Sequence, residues 1–202
     1  MKNDPALRFK IVFWGSHCVL LAGIIISLTS YVLRHRTRPA LPLYASVPEF
    51  TFTERSGQKI ALRDLRGKIW IADFVFTHCA GPCPMMTSRM KDLQTEFANN
   101  SDVRLVSFSV DPERDTPEVL SEYANRYHAE GERWLFLTGD KKTMNHVLTR
   151  FYVNNAEDPN LHSLRFALVD SSGQIRGYYN SEDDEAMEKL LKDARALLHE
   201  EK

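Results

Sequence analysis

Two cysteines spaced C-x-x-x-C, Cys79 and Cys83, end the apolar run in "FVFTHCAGPCPMM" (74–86), and Pro84 follows the second at once. Thiols this close can form a local disulfide, grip a soft metal, or act as nucleophile and resolver in thiol–disulfide exchange. Pro84 suits the first turn of a helix, whose free N–H groups and dipole favour negative charge and lower the pKa of a thiol placed there. Ala80, Gly81 and Pro82 make a tight turn that lets both sulfurs face one point. On this spacing alone all three chemistries stay open.

Two thiolates cannot complete a cysteine-only zinc or iron–sulfur site within one chain. A metal site here needs a further ligand, and His is the commonest choice. Of seven histidines, His17 lies in an apolar N-terminal run, His35 in a basic flank and His199 near the C-terminus. His128 and His146 fall on predicted helices and read as surface residues. His78 adjoins Cys79, but persisting strand geometry would point adjacent side chains to opposite faces, which weakens it as a co-ligand. His162, in "DPNLHSLRFALVD", precedes a predicted core strand, and a loop leading into a neighbouring strand can reach the thiol end of a sheet.

The surrounding pattern supplies elements to position these residues. "EFTFTERSGQKIAL" alternates around Ser56-Gly57 as a hairpin does. "KIWIADFVF" (68–76) is a continuous apolar strand of the kind buried on both faces. Met86, Met90, Leu93 and Phe97 then recur at helical spacing. A strand at 103–110 follows, then a helix over 117–127 that Asp115 and Glu118 would open as a capping box. A strand at 134–140, a helix over 141–152, a hairpin over 163–179 and an amphipathic helix from Asp184 complete the order. Alternating β and α elements argue for a parallel core with helices on its faces, made mixed by the closing hairpin. The thiol pair sits where a core strand hands over to a helix, the usual place for a site in such sheets.

The N-terminal part has a different character. Ile11 to Leu33 contain no Asp, Glu, Lys or Arg. As a helix this run would span about 34 Å, enough for a bilayer core. No A-x-A cleavage pattern follows, so the expectation is an uncleaved signal-anchor. Lys and Arg flank both sides and nearly cancel as orientation signals. The expected domains are a cytoplasmic N-terminus (1–10), a transmembrane helix (11–33), a linker (34–46) and one exported domain (47–202). A net charge of −1 gives no basic field for nucleic acid. Three cysteines are too few for a disulfide scaffold, and Cys18, inside the apolar run, reads as a packing residue.

"FTHCAGPCP", then "SFSVDPERDTPE", then "LHS" before "LRFALVD" resembles the SCO/SenC family of thioredoxin-like copper proteins in order and separation. The resemblance covers about Val47 through the C-terminal helix, and the N-terminal anchor also suits the family. It implies an α/β, thioredoxin-like fold with a central mixed sheet flanked by helices, preceded by one transmembrane helix. By position it implies that Cys79, Cys83 and His162 bind copper: Cu(I) in a three-coordinate site, and Cu(II) when a further weak ligand joins. The implied role is a metallochaperone at the bacterial inner membrane, its domain on the periplasmic side, delivering copper to the CuA centre of cytochrome c oxidase subunit II. Another copper chaperone or a thiol reductant would be a further partner. Asp111, in the second motif, either orients the site or simply ends a strand. The loop departs from the family in having Ala where Pro often follows the first cysteine.

The alternative is a thiol–disulfide oxidoreductase that keeps the oxidase subunit's cysteines reduced. Against it stand the C-x-x-x-C spacing, where the familiar redox motif is C-x-x-C, and His162-Ser163, where similar reductases have a cis-proline. A peroxidase would need P-x-x-x-T-x-x-C, which the chain lacks.

Overall fold

The computed structural model describes residues 21–27, 29, 41–151 and 164–200. It divides into two compact units, Met1–Ala40 and Leu41–Lys202. In the first, residues 21–27 are helical. Among the described residues no helix is long and apolar enough to cross a membrane. Most of the expected span over 11–33 lies outside them.

The second unit is a mixed α/β fold around one eight-stranded sheet. Its elements are β1 (Ala45–Ser46), β2 (Thr51–Glu54), β3 (Lys59–Ala61), α1 (Leu62–Leu65), β4 (Ile69–Val75), α2 (Cys83–Glu96), β5 (Val103–Ser109) and α3 (Pro117–Arg126). There follow β6 (Trp134–Thr138), α4 (Lys141–Phe151), β7 (Arg165–Val169), β8 (Gln174–Asn180) and α5 (Asp184–Glu200). The strand order is β1-β8-β7-β4-β5-β6-β2-β3. Strands β4, β5 and β6 run parallel, and β7, β8 and the β2–β3 hairpin add antiparallel pairs at the flanks. The mixed sheet is as the periodicity predicts. Gly57 makes the first hairpin turn at φ +86, a left-handed conformation that favours glycine.

All seven residues of β4 are buried, so alternate side chains feed two cores. Ile69, Ile71 and Val75 join Leu105, Trp134, Phe136 and the inner sides of α2, α3 and α5. Trp70, Ala72 and Phe74 join Phe50, Phe52, Phe108 and α4. The second core is ring against ring: Phe108 stacks on Phe74 at 5.2 Å, and Phe151 meets Phe74 edge-on at 5.1 Å.

Residues 41–46, expected as the end of the linker, instead belong to the sheet's edge. The Arg176 guanidinium donates to the carbonyls of Leu41 (2.8 Å) and Pro42 (3.2 Å) while pairing with Asp170 at 2.9 Å. The Tyr44 N–H donates to the Ile175 carbonyl, and β1 pairs with β8. Two residues of strand are too few for any alternation to reveal them in the sequence. The four-residue α1 is missed for the same reason.

Candidate functional site

Strand β4 ends at Val75 and the chain turns at once, the Cys79 N–H donating to the Phe76 carbonyl at 3.3 Å. Thr77 anchors this turn. Its N–H (3.3 Å) and hydroxyl (2.6 Å) both donate to the carboxylate of Asp115, which is fully buried and also accepts from the Ser109 hydroxyl at 2.6 Å. Hydrogen bonds to a charged acceptor are each worth about 1.5–3 kcal/mol, so Asp115 clamps the cysteine turn to the end of β5.

The expected capping box does not form. Thr116 is the N-cap of α3, its Oγ1 accepting the Val119 N–H at 3.4 Å, and Asp115 points inward instead. Asp111 is half-buried and shapes the same loop: its carbonyl accepts the N–H groups of Arg114 and Asp115, and its carboxylate pairs with Arg114 at 3.5 Å.

Cys79 is half-buried in the turn and Cys83 is buried, both as free thiols. Cys83 opens α2 one residue ahead of Pro84, and its side chain joins the core with Val75 and Met86. The two thiols are close enough to shift each other's acidity. A Cβ at Gly81 would stand 3.8 Å from Cys79 Sγ, so the turn passes close under that sulfur.

The thiols are unequal. Burial pushes Cys79 up, but the hydrogen bond from Cys83 and the N–H groups of Cys83 and Gly81 outweigh it, leaving its pKa below that of an ordinary thiol. Cys83 is pushed up to about 12, first by burial, then by giving its hydrogen bond to Cys79 and by the charges of Cys79 and Asp73. A helix start was expected to activate the thiol placed on it. Here the residue on the helix stays protonated, and its backbone N–H serves the thiol in front of it. Of the two, Cys79 is the more acidic thiol.

His78 is exposed within the turn, its Nδ1 3.0 Å from Thr77 Oγ1. Strand alternation, the ground for setting it aside, has already ended at Val75. His162 lies outside the described residues. The register nonetheless says where its segment leads: β7 runs antiparallel to β4, with Trp70 opposite Val169 and Ala72 opposite Ala167. The start of β7 therefore lies beside the end of β4 from which the cysteine turn departs. His128, His146 and His199 are exposed on other parts of the domain. Among the described residues no group of three or more His, Cys, Asp and Glu is arranged to hold a metal ion. Two neighbouring cysteine sulfurs are donors of the kind that suits a thiophilic ion such as Cu(I).

The SCO1/SenC family pattern matches residues 40–199. The SCO1 protein homolog of Bacillus subtilis (strain 168) is 36 % identical over 162 residues, covering 77 % of this chain and 84 % of the relative. Among solved structures, BsSco, a member of the Sco family of cytochrome c oxidase assembly proteins with an identified disulfide switch, superposes with a TM-score of 0.69. Identity to it is 33 %, over 80 % of this chain and 98 % of that one. Arabidopsis thaliana ScoI with copper bound superposes with a TM-score of 0.61 at 26 % identity, over 75 % of this chain and 99 % of that one.

Proposed function

The chain belongs to the SCO1/SenC family, and from that premise we propose that it is a membrane-anchored copper metallochaperone. Its cargo is delivered to the CuA centre of cytochrome c oxidase subunit II, with the residue 11–33 segment as a single-pass anchor in the bacterial inner membrane. Relatives named for oxidase assembly and for bound copper support this reading. The observation that carries it is the pair of free thiols, Cys79 and Cys83, brought together where β4 hands over to α2. Cys79, Cys83 and His162 are the ligand set. Two thiolates and one imidazole suit three-coordinate Cu(I), which passes by ligand exchange to an acceptor of soft ligands. The Asp115–Thr77 clamp keeps the turn in place while ligands exchange.

A thiol–disulfide oxidoreductase acting on the same subunit is the second reading. The unequal acidity of Cys79 and Cys83 favours it, because attack and resolution call for one ready thiolate and one reserved thiol. One experiment separates the two. The reduced full chain in detergent, loaded with Cu(I), is mixed with a copper-free CuA domain whose cysteines are already reduced. Formation of CuA absorbance supports delivery. No transfer, together with reduction of an oxidised CuA domain by the copper-free chain, assigns the redox role.

A further inference from the structure

Large apolar side chains in the second unit are covered almost everywhere. Among its described residues the exceptions are Leu43, 66 % exposed, and Tyr44, 43 % exposed, side by side where the chain enters the sheet. Their backbone is held firmly. The Arg176 guanidinium, itself paired with the buried Asp170, grips the carbonyls of Leu41 and Pro42. The Tyr44 N–H is fixed by the Ile175 carbonyl, and the Tyr44 ring stands edge-on to Tyr178 at 5.2 Å. A slack spacer needs none of these contacts; a segment that presents particular side chains does.

The chain reaches this edge from the thiol end of the sheet. Strand β7 is antiparallel to both β4 and β8, so β8 runs with β4 and ends at the same end of the sheet. Strand β1 is antiparallel to β8, with Ala45 opposite Ile175, and the residues before it follow β8 toward that end. There Leu41 packs on the first core, as Phe76 and Cys79 do.

We propose that Leu43 and Tyr44 dock this edge on an anionic lipid surface. The inference rests on the reading of residues 11–33 as the membrane anchor. Only seven residues, 34–40, separate that run from Leu41, and fully extended they reach about 25 Å. A domain tethered so closely meets the surface at a high effective concentration, so two side chains suffice that would recruit nothing from solution. The residue types suit the place. Leucine enters the acyl boundary, and tyrosine sits at headgroup level with its ring in hydrocarbon and its hydroxyl in water. Arg34, Arg36 and Arg38 set the lipid class, since each is drawn to negative headgroups. The carboxylates of Glu182, Asp183 and Glu185, exposed just after β8, are repelled by the same headgroups. Lipid contact therefore stops at the edge and leaves the thiol end open, low over the bilayer. The partner this favours is an acceptor embedded in the same membrane, its own thiols a short way above the headgroups.

The test places the full-length chain in nanodiscs of phosphatidylcholine and phosphatidylglycerol in equal parts. Backbone amide signals are compared with and without headgroup spin-labelled lipid. Amides of residues 43, 44 and 176–178 should lose at least about half of their intensity, while those of β3, at the far edge of the sheet, should keep most of theirs. Leu43→Asp combined with Tyr44→Asp should bring the two edges level, and discs of phosphatidylcholine alone should lessen the contrast. Should the double variant not fold, Leu43→Asp takes its place. Equal attenuation at both edges of the wild-type chain would overturn the proposal, as would a contrast that the substitutions leave intact. So would signals at 43 and 44 that respond to protein concentration and not to the spin label, which would make a second copy the occupant. A chain that fails to co-elute with the discs would sink the anchor reading, and this inference with it.

Discussion

The two faces of the sheet are built for different tasks. On one, Phe50, Phe52, Trp70, Phe74, Phe108 and Phe151 interlock through rings whose contacts are largely non-directional. On the other, Ser107, Thr87, Tyr123, Asp73 and Cys83 interrupt an apolar core directly beneath the cysteine turn. One strand, β4, supplies both, with Phe74 on the first face and Asp73 on the second. The first face holds the fold. The second accepts a standing cost in stability, a carboxyl buried within an apolar core.

That contrast can be broken from either side. The largest effect should come from the ring core: Phe108→Ala leaves a cavity among five aromatic partners and should cost about 3–5 kcal/mol, read as a lower urea midpoint. The polar face should respond to pH instead. Below about pH 4 the Asp73 carboxyl is protonated in both folded and unfolded chains. As pH rises from 3.8 to about 7 only the unfolded chain ionises there, so the unfolded state loses the proton first and stability falls. The loss should reach about 4 kcal/mol above neutrality. Asp73→Asn should remove this dependence and be the more stable protein at pH 8, measured by melts at pH 5 and 8.

The clamp comes next. Asp115→Ala strands the Thr77 and Ser109 donors and should cost about 2–3 kcal/mol. It should also slow alkylation of Cys79 near pH 7, as the turn that presents the Gly81 and Cys83 N–H groups loosens. The smallest effect should follow Gly81→Ala. The new Cβ sits in ordinary contact with Cys79 Sγ, so stability should move by less than about 0.5 kcal/mol. A large loss there would mean that the turn is packed more tightly under the sulfur than its geometry shows.

Most of the fold was legible because β4, β5 and the longer helices repeat apolar residues at one clear period. Residues 45–46 and 62–65 were not, being too short for a period to form. Cys79 and Cys83 announced themselves by type and spacing. Asp115 did not, because its position ahead of Thr116-Pro117 reads equally well as a helix cap, and only the contact with Thr77, 38 positions away, shows its other use. Asp73 was hidden for a different reason. In a strand buried on both faces there is no alternation against which one carboxyl stands out. That neither of its oxygens finds a hydrogen-bond partner among the described residues is a property of neighbours brought together by folding. His78 was judged by strand geometry that a turn had already replaced.

The ligand set itself is tested most directly by Cu(I) affinity of the reduced full-length chain in detergent, measured against a competing chelator. Wild type, Cys79→Ala, Cys83→Ala, His162→Ala and His78→Ala are compared under one condition. The account predicts one Cu(I) per chain, lost with either cysteine and weakened by about 100-fold or more in His162→Ala. That loss would exceed the usual effect of removing an outer partner of a metal site, while His78→Ala should bind as wild type does. Undiminished affinity in His162→Ala, with copper lost in His78→Ala, would contradict it and move the third ligand into the cysteine turn.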